Sequence, residues 1–191
     1  MIMIGVPVGK NHMIDVRTAA YCFAEAMRPD TIWGYLSSRE CGFGRSVMVN
    51  NLLKNPDATH FYTIDSDVVP PPDTLQKLID HDIPIVAGIY KQRIGNSSRW
   101  SFKTDNDYQF TSTDEPLPEK LFEASCIGGS TLLIKREVLE NLSSPCFKVV
   151  YNSGNNYEHE DEYFSRIARE AGYKIMVDPT IVCEHYNYVR L

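Results

Sequence analysis

Apolar residues along this chain follow two alternating rhythms. The runs MIMIGVPV, TIWGYL, HFYTI and PIVAGIY are short, continuous and β-favouring, as expected of strands buried on both faces of a sheet. A later run, SCIGGSTLLIK, reads as one strand interrupted by Gly128 and Gly129, and KIMVDPTIV reads as the last strand. Between them the spacing turns helical. It does so over Arg17 to Met27, over Ser46 to Lys54 ahead of Pro56, after Asp73 with Leu75, Leu78 and Ile79 on one face, and from about Lys135. The final helix, Glu160 to Ala171, aligns Tyr163, Phe164, Ile167, Ala168 and Ala171 and stops at Gly172. Strand and helix in alternation predict an α/β layered sheet, mostly parallel, with helices on both faces and ligands at the carboxyl ends of the strands.

The stretch FYTIDSDVVPPP breaks this rhythm. Its strand delivers Asp65 and Asp67 at its C-terminal end, and Pro70, Pro71 and Pro72 rule out further strand pairing. Asp73 stands three residues before Gln76, the spacing of a capping box, so the prolines lead directly into a helix. Both carboxylates are therefore expected in the mouth between strand and helix. Residues 91–123 lose the alternation and gather Trp100, Phe102, Tyr108 and Phe110 among Gly, Asn, Ser and Thr, which reads as an excursion over a site or a small hairpin. Such aromatics either offer a flat surface to a ligand or pin a loop to the core.

Composition narrows the classes. With 191 residues, 43% of them hydrophobic, the chain suits a single domain spanning 1–191. A net charge of -6 gives no general attraction for nucleic acid or an anionic membrane. The five cysteines include no C-x-x-C pair and form no complete disulfide framework, which favours a reducing, cytoplasmic setting. No apolar run is long enough to span a bilayer, and the start lacks the layout of a signal peptide, so no transmembrane segment is expected.

Two carboxylates flanking Ser66 make a hard-oxygen site suited to Mg²⁺ or Mn²⁺, although Asp65 and Asp67 also suit a turn or a helix end. Gly128 and Gly129 mark either a bulge or the close approach of a ligand. His185, after the last strand, is a borderline metal ligand that gains weight only in company. The dipole of the final helix already accounts for Glu160, Asp161 and Glu162 at its head, where one carboxylate could also serve as a general base. Arg45 could cap a phosphate, and its plainer reading is a solvated arginine.

Taken in order, the strand ending in DSD, the proline step, VAGIY, GGSTLLIKREVLENL, HEDEYFSRIAREAGYKI and VDPTIVCEH resemble glycosyltransferases of the GT-A fold, particularly small family-2-like enzymes. The resemblance runs from about Ile2 to His185. It implies a Rossmann-like GT-A sheet, a UDP- or GDP-sugar donor, Mn²⁺ or Mg²⁺, and transfer to a hydroxyl of a carbohydrate or glycoconjugate acceptor. The family's D-x-D motif matches Asp65, Ser66 and Asp67, the last holding the cation and the first reaching the ribose or the metal through water. His185 matches a further metal ligand, and Gly128 and Gly129 a pair beside the donor sugar. Glu160 and Asp161 match an E-D motif whose aspartate is the base in inverting members. Pro7 falls where the first strand turns toward the nucleotide, and Arg45 is placed on the donor side. SSRE, after the second strand, lacks an aspartate that would read a uracil. Two rivals stand beside this reading. One is a phosphohydrolase of the haloacid dehalogenase type with Asp65 as nucleophile, though that motif usually belongs to the first strand. The other is a non-catalytic sugar-nucleotide-binding module.

Overall fold

The computed structural model describes residues 1–9, 13–94, 97–104, 110–151 and 157–186. The elements in order are β1 (Ile2–Val8), α1 (Val16–Ala26), β2 (Thr31–Ser37), α2 (Cys41–Lys54), β3 (His60–Thr63), β4 (Val68–Val69), α3 (Thr74–Asp80), β5 (Ile85–Ile94) and β6 (Ser97–Trp100). They continue with β7 (Phe102–Lys103), β8 (Phe122–Ala124), β9 (Cys126–Ile127), β10 (Leu132–Lys135), α4 (Arg136–Asn141), β11 (Val150–Tyr151), β12 (Tyr157–Glu158), α5 (Glu160–Glu170) and β13 (Ile175–His185).

The main sheet is mixed, in the order β2-β1-β3-β10-β5-β13-β4. β1 pairs in parallel with β2 and β3, and β5 in parallel with β13. β10 runs antiparallel between β3 and β5, so β2, β1, β3, β5 and β13 all point one way. Side chains alternate across the pleat into two cores. One face seats Phe61, Ala87, Ile134 and Val177 under α2, α4 and α5, while the other seats Ile4, Tyr62, Leu133 and Ile181 under α1 and α3. Helices on both faces are what the alternating sequence predicts.

This arrangement determines what lies at the carboxyl edge. The parallel strands end there, β10 begins there, and α2 and α5, each running back before its parallel strand, present their N-termini there. The DSD turn, the glycine pair, Arg45, the head of α5 and His185 therefore share one edge.

Two local expectations change, and one alternative is decided. SCIGGSTLLIK is two strands, β9 and β10, because Gly128 to Thr131 turn away from the ladder and Thr131 takes φ +56°. Asp73 does not cap α3; its carboxylate pairs with Lys77 Nζ at 2.9 Å, while Gln76 donates to Asp80 at 2.6 Å. In the 91–123 excursion, Trp100 and Phe102 are buried, which makes them the pins of a hairpin folded back on β5. Tyr108 lies outside the described residues, and Phe110 lies under the Lys103 ammonium, 4.9 Å from the ring centroid.

Candidate active site

The DSD stretch is a tight turn between β3 and β4, closed by the Val68 N–H donating to the Asp65 carbonyl at 3.2 Å. Its backbone is braced on both sides. The Asp15 N–H donates to the Ser66 carbonyl at 2.8 Å and the Tyr186 N–H to the Asp67 carbonyl at 2.9 Å. Asp15 is itself held by Arg17, whose guanidinium lies over the Tyr186 ring. The Asp65 N–H donates to Ser130 Oγ at 2.9 Å, which ties the turn to the Gly128–Thr131 segment.

Arg45 is the centre of the cluster. It is 2% exposed, so the plainer reading of a solvated arginine is corrected. Its Nη2 donates to Asp65 Oδ1, its Nη1 donates to Glu160 Oε1 at 2.7 Å, and its Nε reaches Thr63 Oγ1 at 3.3 Å. Two carboxylates keep the guanidinium charged despite its burial. Gly129 makes room for it: a Cβ there would lie 2.7 Å from Arg45 Cζ. Gly128 likewise leaves space for the Tyr90 hydroxyl. One sequence signal for Arg45 existed. It occupies the first position of the stripe Arg45, Met48, Val49, Leu52, the i, i+3, i+4, i+7 pattern of a buried helix face. Thr63 and Ser130 carried no such signal.

At the head of α5 the acids divide. Glu158 pairs with Arg166 at 2.9 Å, Glu160 with Arg45, and Glu162 with Lys103 at 2.6 Å. Glu162 also accepts the His159 N–H at 3.0 Å, closing the helix start. Among the described residues no cation pairs with Asp161, whose Oδ1 accepts only the Glu162 N–H at 2.9 Å. Burial, then the neighbouring Glu160 charge, push its carboxyl up to about 6, against a smaller opposing pull from Arg45. Asp65 is also raised, by burial and by the nearby Asp67 and Glu160, with Arg45 opposing.

Asp67 and His185, distant in sequence, meet across the pairing of β4 with β13. Asp67 Oδ2 lies 3.6 Å from His185 Nε2. The Lys91 carbonyl, 3.0 Å from Nδ1, orients the ring, and its neutral form would turn the Nε2 lone pair toward Asp67. The facing carboxylate raises the histidine's pKa. A carboxylate and an imidazole this close fit a single Mn²⁺ or Mg²⁺, whose ligands bind at about 2.0–2.2 Å. Among the described residues no group of three or more His, Cys, Asp or Glu side chains could hold a metal, so water and ligand oxygens would complete such a shell.

Of the donor-side residues, Pro7 is buried in β1 beside Leu36, with its ring near Gly44. An open cavity of about 450 Å³ next to it is lined by Val8, Ile14, Tyr35 and Ser37. The sequence reading assigned nothing to this cavity. Tyr35 carries its one visible signal, an aromatic at the end of an edge strand.

The sequence profile described as glycosyltransferase like family 2 matches residues 9–189. No curated protein matches the chain in sequence. Among solved structures, A197 from STIV has 19% identity and a TM-score of 0.67, with coverage of 98% of this chain and 86% of that one. GalNAc-T7, solved with UDP, GalNAc and Mn²⁺, has 10% identity and a TM-score of 0.60. TarS 1-349 from S. aureus, solved with UDP-GlcNAc, has 12% identity and a TM-score of 0.55. This chain is covered at 100% and 98% in the last two but spans only 44% and 59% of their lengths. At these identities the likeness is one of fold, and the fold is GT-A.

Proposed function

This chain belongs to the glycosyltransferase family 2-like proteins, and from that premise we propose that it moves a sugar from a nucleoside-diphosphate donor to a carbohydrate hydroxyl with the help of a divalent cation. The observation that carries the reading is Arg45, which joins Asp65 of the DSD turn to Glu160 at the head of α5, two motifs 95 residues apart. UDP-sugars come first among donors, because GalNAc-T7 and TarS are solved with UDP and UDP-GlcNAc. GDP-sugars come second.

The cavity at the ends of β1 and β2 would take the nucleoside, with Tyr35 as an aromatic wall, and Pro7 would set the course of β1 into its lining residue Val8. Asp65, oriented by Arg45, would face the ribose, and Ser66 would sit between the two aspartates at the diphosphate. Asp67 and His185 would hold Mn²⁺ or Mg²⁺, which when bound offsets the charge of a departing diphosphate. Gly128 and Gly129 would serve the site indirectly, since the space at each is taken by the Tyr90 hydroxyl and the Arg45 guanidinium rather than left open to the donor sugar. Asp161 would take the acceptor proton at Oδ2, the oxygen left over from the Glu162 contact. A base with a pKa of about 6 is ionised at neutral pH yet still holds a proton well. Glu160, committed to Arg45, positions this end of the helix.

The phosphohydrolase rival gives way to the family assignment. Asp65 as nucleophile also fits poorly with a carboxylate bound to a buried guanidinium. The test is a panel of UDP- and GDP-sugars, read first by donor hydrolysis and then by transfer to oligosaccharides. Metal-dependent turnover of at least one donor is expected. Phosphate release from simple phosphoesters without any sugar-nucleotide turnover would contradict the proposal, and tight nucleotide binding without turnover would favour the non-catalytic module.

A further inference from the structure

The short ribbon of β11 and β12 stands immediately before α5, and its exposed surface is aromatic. Tyr151 and Tyr157 are cross-strand partners, 78% and 52% exposed, with ring centroids 6.3 Å apart. The Tyr157 ring meets His159 edge-on at 4.7 Å, and His159 is the residue that opens α5, two positions before Asp161. The ring pair therefore adjoins the N-terminus of the helix that carries Asp161.

The ribbon is firmly built onto its helix. Glu158 accepts two hydrogen bonds from the Arg166 guanidinium, at 2.9 and 3.1 Å, which clamps β12 to the second turn of α5. Just ahead of β11, Phe147 stacks on Phe164 at 4.6 Å, and its backbone is tied to Ser46 of α2. A pair of exposed tyrosines flanked by these anchors provides a broad apolar surface with polar edges, which suits the C–H face of a sugar ring. The charges narrow the choice further. Glu158, Glu160 and Glu162 are each paired with a cation, and among the described residues Asp161 has none, so an anionic acceptor would meet repulsion where it must react.

We infer that Tyr151 and Tyr157 form the acceptor platform, on which an uncharged pyranose stacks so that its hydroxyl reaches Asp161. The inference rests on the proposed transferase activity and names its acceptor class. A cross-strand aromatic pair also braces a ribbon, so the test must separate bracing from binding.

Acceptor kinetics are measured with the full chain, a turned-over sugar nucleotide and a panel of neutral oligosaccharides. Tyr151→Ala and Tyr157→Ala should each raise the acceptor KM about 10-fold with kcat changed less than about 3-fold, and Tyr157→Phe should restore the KM. Saturation-transfer NMR of the same oligosaccharides, with UDP present and no turnover needed, should show transfer to ring protons that disappears in the double alanine variant. An unmoved KM and unmoved saturation transfer in that variant would overturn the inference. A fall in kcat alone would also overturn it, because the pair would then only brace the ribbon. If the unaltered protein turns over no donor, the proposed function fails, and the NMR readout still decides the platform on its own.

Discussion

Asp161 differs from the acids around it in having no cation partner among the described residues. Its raised pKa makes its ionisation a cost to the folded state, because the folded carboxyl binds a proton more readily than the unfolded one, whose value is near 3.8. Stability is therefore unaffected by this group below about pH 4 and declines as pH rises from there to about 6. Asp161→Asn should abolish most transfer, by roughly 100-fold to 10,000-fold. The same change should raise the unfolding free energy at pH 7 by on the order of 2 kcal/mol and leave it unchanged at pH 4. Denaturant melts at the two pH values check this, and an equal effect at both would show that the carboxylate is not strained. Gly129 makes the opposite kind of statement. Gly129→Ala forces a methyl group against the Arg45 guanidinium and should cost about 1–3 kcal/mol, read as a drop in the thermal midpoint. Neither residue's role was legible from its type alone. A glycine pair reads equally as a bulge, and an acid at a helix head is ordinary.

At the level of elements, the ion pair of Arg45 with Glu160 ties α2 to α5. Because Arg45 is buried between two carboxylates, Arg45→Gln leaves Asp65 and Glu160 facing each other uncompensated, and the cost should be about 3–5 kcal/mol. Chemical denaturation of the variant is the check; a loss below about 1 kcal/mol would mean that solvent already carries those charges. The helices themselves were readable, since their apolar stripes persist over several turns. The end of α5 at Gly172, with φ +88°, was readable for the same reason: only glycine sits easily there. The start of α2 was not, because CGFG shows no apolar stripe and its glycines are there to fit Glu160 and Ser38. The capping box at Asp73 failed because Lys77 and Asp80 offered the two side chains better partners along the helix.

Across the whole molecule, strand direction assembles the site. Five strands end at one edge and the reversed strand β10 begins there, so motifs scattered from residue 45 to residue 185 converge. Periodicity conveyed that much, because alternating strands and helices leave few topologies. What it could not convey was which face of the edge each side chain takes. Asp67 and His185 meet because β4 pairs antiparallel with the tail of β13, a contact of two residues that the resemblance implied and periodicity alone does not announce. The central claim is that this pair holds the cation that helps bind the donor diphosphate. Isothermal titration of UDP, with and without Mn²⁺, into the unaltered protein and His185→Ala tests it most directly. Mn²⁺ should tighten UDP binding at least about 10-fold in the unaltered protein and have little effect in the variant. Identical UDP affinity with and without Mn²⁺, or full Mn²⁺ enhancement after loss of the imidazole, would contradict it.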